Sequence, residues 1–213
     1  MSRSETLKTL LGGATIIPVV VIDDRAASVP LARALVAGGV NVIEITLRTG
    51  AALEAIAAVA GEVEGAIVGA GTVLSRGQFA AAEKAGARFM VSPGVGPDVL
   101  AAAADSPVPL MPGAATASEV MTLMDEGYTL QKFFPAGPAG GVAYLKALAA
   151  PLPAISFCPT GGVDAKNARD YLALPNVIAV GGSWITPADA IKGGDWARIE
   201  RLAREAAALG GAV

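Results

Sequence analysis

Lys132 stands where a lysine is out of place. It lies in the run Tyr-Thr-Leu-Gln-Lys-Phe-Phe-Pro from Tyr128 to Pro135, a β-prone segment closed by proline. Alternation along a strand puts Leu130, Lys132 and Phe134 on one face. An ammonium flanked by leucine and phenylalanine is poorly solvated, and burying one without a partner favours the uncharged amine, the form that attacks carbonyl carbons. Schiff-base lysines are prepared in this way. The competing reading is an edge-strand lysine whose stem snorkels to water.

A second polar stripe faces the same kind of chemistry. The run Asn41 to Arg48 alternates Glu44, Thr46 and Arg48 against Ile43, Ile45 and Leu47. The apolar set suits packing under helices. A glutamate facing a lysine can move protons, and an arginine can grip a carboxylate with two parallel hydrogen bonds. The competing reading here is a structural ion pair between Glu44 and Arg48. Gly69-Ala-Gly-Thr72 allows close backbone approach and offers the Thr72 hydroxyl, while Ser92-Pro93-Gly94 would wall a pocket or simply turn the chain. Two glycine pairs follow, in Pro159-Thr-Gly-Gly162 and Gly181-Gly-Ser183. Bare backbone N–H groups of this kind bind phosphate, although tight turns use the same residues.

The chain has no histidine, which excludes Ser-His-Asp and Cys-His nucleophilic sites and any histidine-bound zinc or iron. No close set of carboxylates replaces it, so neither a metal nor any other cofactor is expected. Proton transfer falls to Glu, Asp, Lys, Tyr or water. The single cysteine, Cys158, sits in an apolar run, excludes an internal disulfide and is read as a small buried hydrophobe in a protein of a reducing compartment.

These residues must be held by a large apolar framework. The 213 residues are 53% hydrophobic and 16% charged, with no linker-like stretch, and are read as one domain over 1–213. Net charge is −3 and no basic cluster occurs, so nucleic acid is not an expected partner. A mean hydropathy of +0.54 is high for a monomer's surface and points to burial between subunits. The apolar run Leu10 to Ile22 imitates a signal peptide, but Gly12, Gly13 and Pro18 interrupt it and Asp23-Asp24 follow. It is read as a helix leading into a strand, and no stretch reaches the ~20 apolar residues that span a bilayer.

Strand-like runs recur at about 16–22, 41–48, 66–73, 87–92, 108–112, 128–134, 154–159 and 177–182, spaced by 20 to 26 residues. Helix signals fill the gaps: capping-box patterns at Ser75 with Gln78 and Thr116 with Glu119, candidate N-caps at Thr49, Asp164 and Asp195, and stops at Gly38, Gly86 and Gly127. Eight βα units with near-continuous apolar strands predict a (β/α)₈ barrel preceded by a helix from about Glu5 to Leu11. A doubly wound open sheet is disfavoured because no Gly-x-Gly-x-x-Gly turn follows the first strand. In a barrel the polar residues at the carboxyl ends of the strands carry function, and phosphate sites commonly follow strands seven and eight.

Taken together, Glu-Ile-Thr-Leu-Arg-Thr at 44–49, Gly-Ala-Gly-Thr-Val at 69–73, Ser-Pro-Gly at 92–94, Lys-Phe-Phe-Pro-Ala at 132–136, Pro-Thr-Gly-Gly-Val at 159–163 and Gly-Gly-Ser-Trp at 181–184 resemble the 2-keto-3-deoxy-6-phosphogluconate (KDPG) aldolase family. That family also covers 4-hydroxy-2-oxoglutarate and phosphogalactonate-type aldolases. The resemblance implies a metal-independent class I aldolase, a cytoplasmic homotrimer of sugar-acid catabolism acting on a small phosphorylated keto acid. It implies Lys132 as the imine-forming residue and Glu44 as the proton carrier. Arg48 and Thr72 would hold the pyruvyl carboxylate, Thr160 would contact substrate oxygens, and Pro93 and Phe134 would wall the pocket. Gly161, Gly162, Gly181, Gly182 and Ser183 would receive the phosphate. A phosphosugar epimerase or isomerase would share the glycine sites without needing Lys132, and a non-catalytic sugar-phosphate binder would show no turnover.

Overall fold

Parallel strands form the centre, because runs such as Ile16–Val20 and Val42–Thr46 are β-branched and apolar on both faces and so need cover on both. The computed structural model describes residues 3 to 210. Its strands are β1 Ile16–Val20, β2 Val42–Thr46, β3 Ile67–Gly71, β4 Met90–Val91, β5 Leu110–Met111, β6 Gly113–Ala114, β7 Leu130–Phe133, β8 Ser156–Pro159 and β9 Val180–Gly182. The helices are α1 Arg3–Leu11, α2 Ser28–Ala37, α3 Ala52–Glu62, α4 Arg76–Lys84, α5 Pro97–Asp105, α6 Ala117–Asp125, α7 Gly141–Ala149, α8 Ala168–Leu172, α9 Ala188–Gly193 and α10 Trp196–Ala207. The fold is α/β, and every strand pairing is parallel.

Six strands run β5-β4-β3-β2-β1-β9 and three run β6-β7-β8. The expected strand at 108–112 is therefore found as two pieces, split at Pro112. Proline has no N–H to give to a ladder, so β5 pairs with β4 while β6, beyond the proline, pairs with β7. On the far side, isolated bridges join Phe157 to Val177 and Thr160 to Gly181, linking β8 toward β9.

Alternation sorts the side chains into two apolar clusters. Ile16, Ile43, Ile45, Val68, Phe133 and Phe157 pack outward against helical residues such as Leu35, Ile56, Val59, Phe79 and Leu145. Ile17, Val42, Phe89, Met111, Leu130 and Cys158 pack inward on one another, joined by Leu7 and Leu11 of α1. Helix α1 thus supplies an apolar lid for the inner cluster, and Ser4 ties it down: its hydroxyl accepts the Thr129 N–H at 2.8 Å.

The helix starts are capped in different ways. Thr116 and Glu119 make a full capping box, and Asp195 caps α10. Ser75 accepts the Gln78 N–H, but the Gln78 carboxamide turns to the Leu74 N–H rather than back to Ser75. Thr49 is not an N-cap: α3 starts after Ala51, and the Thr49 hydroxyl donates to the Ile22 carbonyl. Asp164 closes a turn ahead of α8, whose N-cap is Asn167. Among the described residues, no helix is long and apolar enough to cross a membrane.

Candidate active site

The polar residues of the inner face gather where the strands end. In β7 the outward side chains Gln131 and Phe133 are buried, and the Gln131 carboxamide donates to the carbonyls of Val120 and Tyr128, which fixes the strand against α6. Lys132 therefore points the other way. Its Nζ lies 3.3 Å from Glu44 Oε1, with the two residues 4% and 2% exposed. The lysine is buried, as its neighbours predict, but it is not unpartnered. At this depth the pair is held by its own geometry, and removing either partner would strand the other charge at a cost of about 3–5 kcal/mol.

Both flanks of the pair are cut to fit. A Cβ at Gly71 would fall 2.1 Å from Glu44 Oε1, so the carboxylate lies over bare backbone. Gly113, the register partner of Lys132 on β6, faces the Pro93 backbone, which a Cβ would meet at 2.4 Å. That contact lets Pro93 reach over the adjoining strand, and the Ser92 hydroxyl donates to the Gly94 carbonyl at 2.8 Å to hold the turn. Neither steric requirement is visible along a single strand, which is why spacing alone does not single out Gly113. On the other flank, the Lys132 Nζ lies 5.4 Å from the Phe134 ring centroid, inside the range of a cation–π contact. Cys158 is the register partner of Lys132 on β8. Burial pushes its thiol up to about 12, so it is a neutral floor beside the charged pair.

Arg48 is exposed at the rim and does not pair with Glu44; its Nε donates to Thr72 Oγ1 at 3.1 Å. Thr72 is the non-glycine residue of the described chain with positive φ, at 59°. Such a conformation costs of order 1–3 kcal/mol and persists where the surroundings impose it. It places the hydroxyl beside Arg48, whose Nε and not its terminal nitrogens makes this bond.

Thr160 is buried, and its hydroxyl sits 2.2 Å from where a Cβ at Gly181 would be. Gly161 and Gly162 have φ of 89° and 81°, the left-handed region open to glycine. A Cβ at Gly161 would meet the Phe134 ring at 3.2 Å, which brings this loop to the edge of the lysine site. Gly182 is different. Its rung pairs it with Pro18, which has no N–H, so the ladder bonds there come from Gly182, and its Cβ position is filled by the Trp184 ring 1.8 Å away. Glycine at 182 thus makes room for tryptophan, a requirement separate from anything its backbone offers an anion, and Ser183, exposed next to it, carries a free hydroxyl. Nor does a long helix start at either loop, since α8 has 5 residues and α9 has 6.

The sequence pattern described as KDPG and KHG aldolase matches residues 7–202. The 2-dehydro-3-deoxy-phosphogluconate aldolase of Dickeya dadantii is 53% identical over 199 residues, 93% of this chain and 93% of that protein. A KDPG aldolase from Legionella pneumophila, crystallised with pyruvate captured at low pH as a covalent carbinolamine, superposes with a TM-score of 0.89 at 46% identity, covering 92% of this chain and 95% of that one. The 2-keto-3-deoxy-6-phosphogluconate aldolase of Zymomonas mobilis with 3-phosphoglycerate gives a TM-score of 0.91 at 45% identity, covering 97% of each chain. With a family match spanning nearly its whole length and a buried lysine–glutamate pair at the strand ends, this chain belongs to the KDPG and KHG aldolase family.

Proposed function

We propose that the protein is a class I aldolase that cleaves 2-keto-3-deoxy-6-phosphogluconate to pyruvate and glyceraldehyde 3-phosphate. The observation that carries this reading is the buried contact between Lys132 Nζ and Glu44 Oε1 at 3.3 Å. Transfer of a proton from Lys132 to Glu44 frees the amine to attack C2 of the substrate, and Glu44, directly or through a water, returns the proton as the carbinolamine loses water. The protonated imine then serves as electron sink. Glu44 removes the C4 hydroxyl proton, the C3–C4 bond breaks, and its electron pair forms the enamine as the aldehyde leaves. Protonation at C3 and hydrolysis release pyruvate.

Arg48, braced by Thr72, would grip the carboxylate beside C2. Pro93 and Phe134 would exclude water around the imine, and Thr160 would meet substrate oxygens. The phosphate would lie over Gly161, Gly162, Gly181, Gly182 and Ser183, with the Trp184 ring packed on Gly182. No cofactor or metal takes part. The family name also supports 4-hydroxy-2-oxoglutarate as a substrate, and the C4 epimer, 2-keto-3-deoxy-6-phosphogalactonate, is the remaining alternative.

On this reading the two sheets are parts of one closed (β/α)₈ barrel over a single domain, 1–213, supported by β5 and β6, which lie one residue apart at Pro112 on one side, and by the Thr160–Gly181 bridge on the other. A cytoplasmic homotrimer is proposed with it, and Val21, Leu53, Leu74, Val95 and Met121 are exposed apolar side chains that subunit contact would cover. Pyruvate release measured on the gluconate and galactonate epimers and on 4-hydroxy-2-oxoglutarate, before and after chelation, tests the assignment. Fastest turnover of the gluconate epimer, unaltered by chelator, is expected. Absence of pyruvate from all three would overturn it.

A further inference from the structure

Both carbonyls of the double-glycine loop are pinned. The Gly161 carbonyl accepts from the Gly137 N–H at 2.8 Å, and the Gly162 carbonyl accepts from Asn167 Nδ2 at 2.9 Å. The Asn167 carboxamide is itself oriented, because its Oδ1 accepts the Asp164 N–H at 2.9 Å. Asp164 Oδ1 in turn accepts the N–H groups of Lys166 at 2.8 Å and Asn167 at 3.2 Å. Among the described residues, the N–H groups of Gly162 and Val163 have no protein acceptor.

A peptide unit is planar and trans, so its carbonyl and its N–H point in opposite directions. The Gly162 carbonyl and the Val163 N–H belong to one such unit, and the Gly161 carbonyl and Gly162 N–H to the unit before it. Holding the two carbonyls therefore aims the two N–H groups the other way. Rotation of the Gly162–Val163 unit turns ψ of Gly162 and φ of Val163, and because its leading residue is a glycine it is less restrained than a unit set between two side chains. A flipped Gly162–Val163 unit would present an oxygen to an incoming anion in place of a donor.

We propose that Asn167 is a positioning residue for recognition of the substrate's phosphoryl group: its side chain locks the Gly162–Val163 peptide with the N–H toward the anion. This rests on the aldolase reading and on the placement of the phosphate at this loop. Asn167 touches no reacting atom, and its effect passes through the backbone. The same logic explains how Gly161–Gly162 and Gly181–Ser183, segments without lysine or arginine, can hold a dianion: donors that are already aligned need no ordering when the ligand arrives.

The test compares three substitutions by their KM for 2-keto-3-deoxy-6-phosphogluconate, their KM for the unphosphorylated analogue and their rate of pyruvate methyl-proton exchange. Asn167→Ala is expected to raise KM for the phosphorylated substrate about tenfold, the scale of one hydrogen bond, and to leave the other two quantities unchanged. Asp164→Ala removes the turn's other bonds but keeps the Asn167 donor, so it is expected to shift that KM less. Ser183→Ala probes the phosphate site without touching the lock. If Ser183→Ala discriminates between the two substrates and Asn167→Ala does not, the phosphate lies here but the lock is refuted. Equal effects of Asn167→Ala and Asp164→Ala on all three quantities make Asn167 a structural turn residue and also refute it. If neither Ser183→Ala nor Asn167→Ala discriminates, the phosphate reading itself falls, and the lock with it.

Discussion

On β7, Leu130 and Lys132 point to the same side of the sheet, two residues apart, yet one joins the inner apolar cluster and the other a charged pair. The same division runs through the strands. At the amino ends, α1 lays Leu7 and Leu11 on Ile17, Val42, Met111 and Leu130, and Ser4 accepts backbone N–H groups from Thr129 and Leu130. At the carboxyl ends the covering helix is replaced by loops, glycines stand where side chains would collide, and Thr72 takes a strained backbone angle. One end is filled with carbon and carries the stability. The other gives up apolar packing to a buried lysine–glutamate pair and to loops whose backbone N–H groups stay bare.

The sharpest break in this division is expected at Glu44. Glu44→Gln keeps size and hydrogen bonding but removes the base, so exchange of pyruvate methyl protons with solvent is expected to fall by on the order of 10² to 10⁴. Folding should survive, because Lys132 keeps a polar partner. Wild-type exchange would move the proton-transfer role to another group.

At the opposite end, Leu7→Ala deletes a fully buried side chain of α1. A loss of about 2–5 kcal/mol in denaturant unfolding is expected, with kcat of the folded enzyme unchanged. A kinetic defect without loss of stability would mean that the two ends are not separable.

Gly71→Ala attacks the site through geometry alone. The new Cβ would collide with the Glu44 carboxylate, and a displacement near 1 Å is expected to lower kcat about 10²-fold. Unaltered kcat would show that Glu44 does not need its observed seat.

At neutral pH the mildest perturbation is one of pH itself. With Cys158 raised to about 12 from 9.0 by burial, the unfolded chain loses the thiol proton first. The stability from this group is thus complete below pH 9 and is lost as pH rises toward 12, at up to about 1.4 kcal/mol per unit. Thermal unfolding followed from pH 8 upward should show a shallower alkaline decline for Cys158→Ala than for wild type. Parallel profiles would mean that the thiol is not sealed beside Lys132.

Much of this arrangement is written in local order. Period-two alternation suffices to put Glu44 and Lys132 on inward faces and Ile43, Ile45 and Phe133 on outward ones, because a buried parallel strand leaves its polar residues one direction to point. The recurrent spacing of apolar runs likewise marks the βα units. What alternation does not contain is contact between strands. That Arg48 braces Thr72 rather than Glu44 depends on where β2 and β3 end relative to each other. The need for glycine at 113 comes from Pro93 on a neighbouring loop, and the emptiness of Gly182 comes from Trp184 folding back over it. Pro112 splits a strand that its apolar neighbours read as continuous, since the missing N–H matters only once a partner lies beside it. Asn167 acts five residues beyond the carbonyl it holds, through a turn that has no periodic signature.

If Lys132 is the residue that bonds to substrate, reducing the imine will mark it. Incubation with pyruvate and borohydride should inactivate the enzyme and leave a single reduced adduct on the peptide containing Lys132, with both label and cleavage lost in Lys132→Ala. The competing lysines are Lys8, Lys84, Lys146, Lys166 and Lys192. Lys8 is the informative control, for its Nζ donates to Ser156 Oγ at the amino ends of the strands. Label on Lys8 or any other of the five, with Lys132 unmodified, would place the imine elsewhere.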